Sequence, residues 1–122
     1  MIFVLTERAK FVPMKKIDFG YKMLHELIGS KWVFEILTSI DQGQQRYSEI
    51  LNNVPYLSAT ELRRKLKLLQ AKAIIERHET PSAVSYTLSD FGDDVVHILY
   101  HIVDLCDRYA LDTPQKLENE VQ

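Results

Sequence analysis

The chain has few of the residues that would indicate a disulfide-stapled, secreted or membrane-bound protein. Cys106 is the single cysteine among 122 residues, which excludes an internal disulfide and suggests a reducing compartment. The apolar start is interrupted by Glu7 and Arg8, too early for a signal peptide. Residues 95–106 are apolar, but they are too few and too polar to span a bilayer. These absences predict a cytoplasmic protein.

Two further absences concern charge and catalysis. The 15 lysines and arginines stand against 17 aspartates and glutamates, and the formal net charge is -2, so any surface that attracts nucleic acid must be local. The sequence contains no glycine-rich phosphate loop, no nucleophile elbow and no zinc-ligand signature. We therefore expect a protein that is not an enzyme and that needs neither a cofactor nor a metal.

What the sequence does contain is a series of short amphipathic segments. Residues 1–20 have no clean periodicity and are predicted to form an arm, residues 21–110 one domain, and residues 111–122 a polar tail. Apolar spacing predicts helices over 21–28, 31–40, 47–53, 58–71 and 90–110, and a short extended piece over 44–46. Two strands are predicted over 74–79 and 83–88, joined by the turn Thr80-Pro81-Ser82.

The segment that begins at Ser58 has the best-defined helix start. Ser58 and Glu61 have the spacing of a capping box, in which each side chain bonds the other residue's backbone amide. Leu57 and Leu62 occupy the positions of a hydrophobic staple. These signals predict a well-formed helix, but they do not by themselves indicate a function.

The order of the predicted elements indicates the fold class. A short helix, a tight turn and a capped helix form a helix-turn-helix, and the hairpin that follows has the position of a wing. We therefore predict a mainly α protein with a small β-hairpin wing, a winged helix-turn-helix. The capped helix is basic away from its leucines, which suits insertion into the DNA major groove. We predict DNA contacts from Arg46, Ser48, Ser58, Thr60, Arg63, Arg64, Lys65, Lys67, Arg77 and Ser82.

Several motifs, in this order and spacing, resemble one family. They are Gly29-Ser30-Lys31-Trp32, Arg46-Tyr47-Ser48-Glu49-Ile50, Leu57-Ser58 with Leu62, Leu66-Lys67 with Leu69, and Tyr86-Thr87-Leu88-Ser89-Asp90-Phe91-Gly92. With these motifs the chain resembles the HxlR-type winged-helix transcriptional regulators, close relatives of the MarR type, over residues 21 to about 109.

The resemblance implies a homodimer that binds double-stranded DNA at a pseudo-palindromic operator, and often a small-molecule effector or an oxidant as signal. It implies a dimer interface on the N-terminal and long C-terminal helices. The apolar stripe of the C-terminal helix is also wider than one small domain can cover. We predict interface positions at Leu24, Leu27, Val95, Leu99, Ile102, Cys106 and Tyr109.

The chain departs from the family pattern at two places. Many members carry a redox-sensing cysteine shortly before the Gly-x-Lys-Trp motif, whereas residues 17–21 contain none, so thiol sensing there is not expected. The turn after the capped helix has Ala73 where the family usually has glycine.

Four side chains invite a functional interpretation that competes with a structural one. Trp32 suits core packing better than ligand stacking. His97 and His101 have the spacing of a metal pair, but they suit the polar face of an amphipathic helix better. Cys106 suits a small apolar packing residue better than a thiol switch.

Three functions fit the sequence. The first is a sequence-specific DNA-binding transcriptional regulator. The second is a protein-interaction module on a winged-helix scaffold, with which the net charge of -2 is compatible. The third is a small-molecule-binding carrier, because the dimer cleft could hold a ligand and fold alone does not decide function. The basic face of the Ser58 helix favours the first.

Overall fold

The structure of the chain, a computed structural model, describes residues 11–111. Its helices are α1 (Met14–Met23), α2 (Val33–Asp41), α3 (Tyr47–Asn53), α4 (Ala59–Ala71) and α5 (Asp90–Arg108), and its strands are β1 (Ile75–Glu79) and β2 (Val84–Leu88). This is the predicted fold class, mainly helical with one antiparallel hairpin. Within residues 11–111 no helix is long and apolar enough to cross a membrane.

The chain divides into two compact units at the junction between Lys31 and Trp32. The first unit contains α1, which continues into a π-helical turn over Leu24–Ile28. The helix begins at Met14, whereas the predicted helix begins at residue 21, so residues 14–20 of the predicted arm are helical. The sequence analysis missed this start although Met14, Ile17 and Tyr21 have helical spacing, and in the structure all three side chains are exposed.

The second unit is built on α2, whose predicted inward face is confirmed. Val33, Ile36, Leu37 and Ile40 are all buried. The helix starts two residues later than predicted because Trp32 has a left-handed backbone with φ of 74°. At the other end Gly43 has φ of 99°, a conformation that glycine adopts without steric cost, and the chain turns there toward α3.

One buried polar residue connects α2 to α3. Ser39 is buried, and its hydroxyl donates to the carbonyl of Gln44 at 3.4 Å while it accepts from Asn53 Nδ2 at 3.2 Å. A buried hydroxyl without partners would cost free energy, so these two bonds hold the turn and the end of α3 in place.

The hairpin is connected to the helices through the short extended piece that the sequence predicted. β1 and β2 pair antiparallel, with Ile75 opposite Leu88, and each strand is one residue shorter than predicted. The Gln45 carbonyl accepts from the Tyr86 amide at 2.9 Å, and Arg46 forms an isolated bridge with Ser85. The start of α3 is therefore fixed to the hairpin by backbone hydrogen bonds.

Helix α5 packs against α2. Val95, Val96 and Leu99 are buried, and the Tyr100 hydroxyl donates to Asp41 Oδ2 at 2.8 Å. Partial burial and this hydrogen bond both raise the pKa of Tyr100 above its ordinary value. The bond fixes the middle of α5 to the end of α2.

The start of α5 lies unusually close to the start of the hairpin. The Ser89 hydroxyl accepts from the Gly92 amide at 3.0 Å, capping the helix, and it also lies within donating distance of the carbonyls of Ala73 (2.7 Å) and Ile74 (2.9 Å). A Cβ on Gly92 would lie 2.1 Å from the Ile74 carbonyl oxygen. Only glycine allows this approach, which explains the Ser-x-x-Gly portion of the motif at residues 86–92.

Gly92→Ala should therefore lower the free energy of unfolding by about 2–3 kcal/mol, because the new methyl group collides with backbone that cannot easily move. Urea unfolding followed by circular dichroism measures the change. The matched control is Gly20→Ala, since Gly20 lies inside α1 with nothing within 4 Å of its Cβ position, and alanine there should stabilise the helix. Equal stability of Gly92→Ala and the wild type would contradict the close approach.

Candidate nucleic-acid interface

The first helix of the helix-turn-helix, α3, is held at its N-terminus by a carboxylate. Glu49 Oε1 accepts from the backbone amides of Gln45 at 3.1 Å and Arg46 at 3.0 Å. These bonds satisfy donors that precede the first turn and place a negative charge near the positive end of the helix dipole. The exposed side chains of Arg46 and Ser48 are thereby positioned at the start of α3.

A side-chain hydrogen bond joins α3 to the start of α4. The Tyr47 hydroxyl donates to the Ala59 carbonyl at 3.1 Å. Because Tyr47 is the first residue of α3 and Ala59 the first of α4, this bond fixes the relative position of the two helix starts.

The start of α4 confirms half of the predicted capping box. Ser58 Oγ accepts from the Glu61 amide at 3.1 Å. The prediction that the Glu61 carboxylate returns to the Ser58 amide is wrong, since Glu61 Oε1 instead accepts from Arg64 at 3.2 Å. A guanidinium one turn away carries a full charge and competes successfully with a backbone amide for the carboxylate. The charge of Arg64 is therefore locally balanced.

The two faces of α4 are chemically distinct. Leu62, Leu66 and Leu69 are buried, as predicted, and they fix the rotation of the helix about its axis. Residues at i, i+3 and i+7 share one helix face. Thr60, Arg63 and Lys67 have this spacing and are all exposed, so they form one outward ridge.

The C-terminus of α4 closes in a Schellman turn in which alanine occupies the glycine position. The Ile74 amide donates to the Leu69 carbonyl at 2.9 Å, and the Ala73 amide donates to the Gln70 carbonyl at 3.0 Å. Ala73 has φ of 60°, the left-handed conformation that this turn requires. The family's usual glycine is thus replaced without loss of the turn, and α4 leads directly into β1, against which it packs.

The wing presents one basic residue that is already paired. Arg77 NH1 lies 2.7 Å from Glu79 Oε1 on the same strand, and both side chains are exposed. The hydrogen bond to Glu79, with a further one to Tyr86, raises the pKa of Arg77 above its ordinary value. At the tip, the Thr80 hydroxyl donates to the Ala83 carbonyl at 3.1 Å, and Ser82 is exposed.

The chain is similar to HTH-type transcriptional regulators. The family model of the HxlR-like helix-turn-helix matches residues 27–114. The chain belongs to the HxlR family. The Bacillus subtilis HTH-type transcriptional regulator YdzF is 35% identical over 94 residues, which cover 74% of this chain and 81% of YdzF. YodB of the same organism, another HTH-type transcriptional regulator, is 30% identical over 87 residues, covering 69% of this chain and 78% of YodB.

Solved structures of HxlR-type proteins have the same fold. Reduced YodB superposes with a TM-score of 0.63 at 25% identity, over 82% of this chain and 95% of YodB. An HxlR-family protein from Thermoplasma volcanium superposes with a TM-score of 0.60 at 26% identity, over 70% of this chain and 82% of that protein. Both agree with the winged-helix fold that the sequence predicted.

The predicted DNA-contact residues of this HxlR-family chain fall into three places. Arg46 and Ser48 lie at the start of α3, and Arg77 and Ser82 on the hairpin. The rest lie on α4 or at its N-cap, where Lys65 is half-buried and the others are exposed: Ser58, Thr60, Arg63, Arg64 and Lys67. The fold thus places six of the ten predicted residues on α4 and its N-cap. Helix α4 contacts strand β1, which carries Arg77.

The predicted interface residues divide between the core and the surface. Val95 and Leu99 are buried in the chain's own core, whereas Ile102 and Tyr109 are exposed and Cys106 is half-buried. Leu24 and Leu27 lie in the π-helical turn of the first unit. Helical periodicity locates the apolar arc of α5, but it cannot tell which part of the arc the same chain covers.

The structure also describes the residues with competing interpretations. Trp32 is half-buried, and His97 and His101 are exposed on α5. Within residues 11–111 no three histidine, cysteine or carboxylate side chains are grouped so that they could hold a metal ion.

Sequence reasoning missed one conspicuous side chain on this surface. Tyr56, in the turn between α3 and α4, is 96% exposed and has φ of 67°. The available signal was an aromatic residue directly after Pro55, inside a turn too short to bury it.

Ser58→Ala should lower the free energy of unfolding by about 1 kcal/mol, because the Glu61 amide loses its acceptor at the helix start. The measurement is thermal unfolding by calorimetry. Ser48→Ala is the matched control, since Ser48 is an exposed serine in the first turn of α3, after the cap, where alanine is the better helix former. A loss as large in Ser48→Ala as in Ser58→Ala would contradict the capping role.

Proposed function

We propose that this chain is a sequence-specific DNA-binding transcriptional regulator that acts as a homodimer and has no catalytic activity of its own. The observation that carries the proposal is the outward ridge of Thr60, Arg63 and Lys67 on the second helix of a helix-turn-helix. Membership of the HxlR family supports it, since the matched relatives are HTH-type transcriptional regulators.

In this proposal α4 enters the major groove with its N-terminal end nearest the bases. Arg63 lies one turn into the helix, and its planar guanidinium can donate to O6 and N7 of one guanine together. Thr60 lies one turn closer to the N-terminus and is short enough to contact a neighbouring base edge. Lys67 lies one turn further along, where a long flexible ammonium suits a phosphate.

The start of α3 and the wing supply the remaining contacts to the sugar-phosphate backbone. Arg46 and Ser48 precede the groove helix and are exposed, so they can reach phosphates on one strand. Arg77 and Ser82 can do the same from the hairpin. A phosphate must compete for the Arg77 guanidinium with the Glu79 carboxylate, which lies 2.7 Å away.

Substitutions on the ridge should separate base recognition from phosphate binding. Arg63→Ala should weaken the binding free energy for the preferred duplex by about 1–3 kcal/mol, and it should relax the base preference at one base pair per half-site. Lys67→Ala should weaken binding to all duplexes equally and lower the slope of log K against log salt by about one per contact. Fluorescence anisotropy on a selected and a scrambled duplex, across a salt series, measures both effects.

Lys72→Ala is the control for lost positive charge, because Lys72 is the C-cap of α4, at the end away from the bases. It should change affinity less than twofold. A wild type that prefers neither duplex would sink the regulator proposal. If Arg63→Ala and Lys67→Ala both bind like the wild type while folded, DNA recognition does not use α4, and the protein-interaction function takes its place.

The homodimer is proposed on an exposed apolar stripe of α5. At about 100° per residue, Phe91, Ile98 and Ile102 lie within about 40° of each other around the helix. They are 41%, 48% and 44% exposed, next to the face that Val95 and Leu99 bury in the core. Contiguous apolar surface of this kind is characteristic of an interface. The proposed interface therefore uses this stripe with Tyr109, and not Val95 or Leu99.

Ile102→Asp should convert the dimer to a monomer, because burying an unpaired carboxylate in an apolar interface is costly. Light scattering at micromolar concentration measures the mass. His97→Asp introduces the same charge on an exposed position of α5 about 120° from the stripe, and it should remain dimeric. A monomeric wild type, or a dimeric Ile102→Asp, would contradict the proposed interface.

We expect no thiol switch at the position shortly before Gly29, where many family members carry a redox-sensing cysteine. Solved structures exist of YodB with a bound quinone and of diamide-treated YodB. In this chain the only cysteine is Cys106, half-buried on α5 beside the proposed interface. The proposal therefore includes no thiol sensing before Gly29, and a small-molecule effector is what the family resemblance implies.

A further inference from the structure

The turn between α3 and α4 exposes an aromatic side chain almost completely. Tyr56 is 96% exposed, more than any other large hydrophobic residue of the described part of the chain. Its neighbours Val54 and Leu57 are buried, and the Leu57 amide donates to the Val54 carbonyl at 3.4 Å, which closes the turn beneath it. The turn is thus anchored on both sides of a ring that the domain does not shelter.

The backbone at Tyr56 is strained as well as exposed. Its φ of 67° lies in the left-handed region, which a bulky side chain adopts only at a cost in free energy. Glycine would occupy this position without the steric cost, and it would remove apolar surface from water. A tyrosine therefore stabilises neither the turn nor the core, and strain of this kind is concentrated at functional sites.

The position of Tyr56 matches that of the proposed DNA contacts. It lies two residues before Ser58, the N-cap of α4. The start of α4 is in turn held by the hydrogen bond from the Tyr47 hydroxyl to the Ala59 carbonyl. In a helix-turn-helix the first helix crosses the DNA backbone and the second enters the groove at its N-terminus. The turn that joins them therefore passes close to the phosphates at the edge of the groove.

We propose that Tyr56 is a DNA-backbone contact of the turn, its hydroxyl donating to a phosphate oxygen and its ring packing on the adjacent deoxyribose. This inference rests on the proposed DNA-binding function and adds a contact to it. Hydroxyl groups of tyrosine are among the side-chain donors to phosphate in protein–DNA complexes. Since the contact is neutral, it releases no counterion and carries no base preference.

The test compares Tyr56→Gly and Tyr56→Phe with the wild type by anisotropy on the selected and the scrambled duplex. Tyr56→Gly should bind both duplexes at least tenfold more weakly with an unchanged salt slope, while its melting temperature rises by about 2–5 °C as the strain is released. Tyr56→Phe keeps the ring and the strain, so it should lose affinity through the hydroxyl alone, by about fivefold or more.

Ala73→Gly is the matched control, because Ala73 also has a left-handed backbone, with φ of 60°, but lies beyond the C-terminus of α4. It should raise the melting temperature and bind DNA within twofold of the wild type. Tyr56→Gly binding like the wild type, while Lys67→Ala is weakened, would overturn the Tyr56 contact and leave the proposed function intact. Wild-type protein that binds neither duplex would overturn both. A loss confined to the selected duplex would show base readout and overturn the backbone contact.

Discussion

The basic face of α4 points outward because three leucines on its other side fill the core. Leu62, Leu66 and Leu69 are each at most a few per cent exposed, and each contributes about 1.5–3 kcal/mol by leaving water. Rotating α4 by one residue would expose part of that surface and bury charged groups. The apolar burial therefore fixes the direction of Thr60, Arg63 and Lys67, and the remaining contacts adjust the position of the helix without changing its rotation.

Those remaining contacts all act on the ends of the elements. The Tyr47 hydroxyl holds the start of α4, the Schellman turn at Ala73 directs its end into β1, and Ser89 with Gly92 brings α5 against the same junction. The charges near the proposed interface fall into two groups. Arg64 and Arg77 are paired with carboxylates, whereas Arg63 and Lys67 are exposed to solvent. A local basic ridge is therefore compatible with the net charge of -2.

The sequence predicted those parts of the fold that local physics determines. The bounds of α3 were predicted to the residue and the strands to within one, because turn residues and apolar alternation mark them. The start of α1 was missed although Met14, Ile17 and Tyr21 have helical spacing, because the lysines and the aspartate between them obscured the pattern. The Glu61 carboxylate was misassigned because two partners competed for it at equal sequence distance, Ser58 before it and Arg64 after it.

The sequence predicted which residues of α4 are exposed and which are buried, but it did not predict how the apolar residues of α5 divide between core and surface. Helical spacing separated the ridge of α4 from its leucines, but it could not divide the apolar arc of α5 into buried Val95 and Leu99 and exposed Ile98 and Ile102. That division depends on where α2 and the hairpin lie in three dimensions. The left-handed backbone of Tyr56 is likewise a property of the folded turn, for which the sequence has no local marker.

The most direct test of the central claim is an NMR titration of the ¹⁵N-labelled protein with a duplex selected from random sequences. The account predicts that the largest amide shift changes fall on residues 46–48, 56–67 and 77–82, saturate together at one duplex per protein dimer, and leave the α5 stripe unperturbed. Shift changes that instead centre on residues 91–109, or the absence of any saturable change, would contradict it.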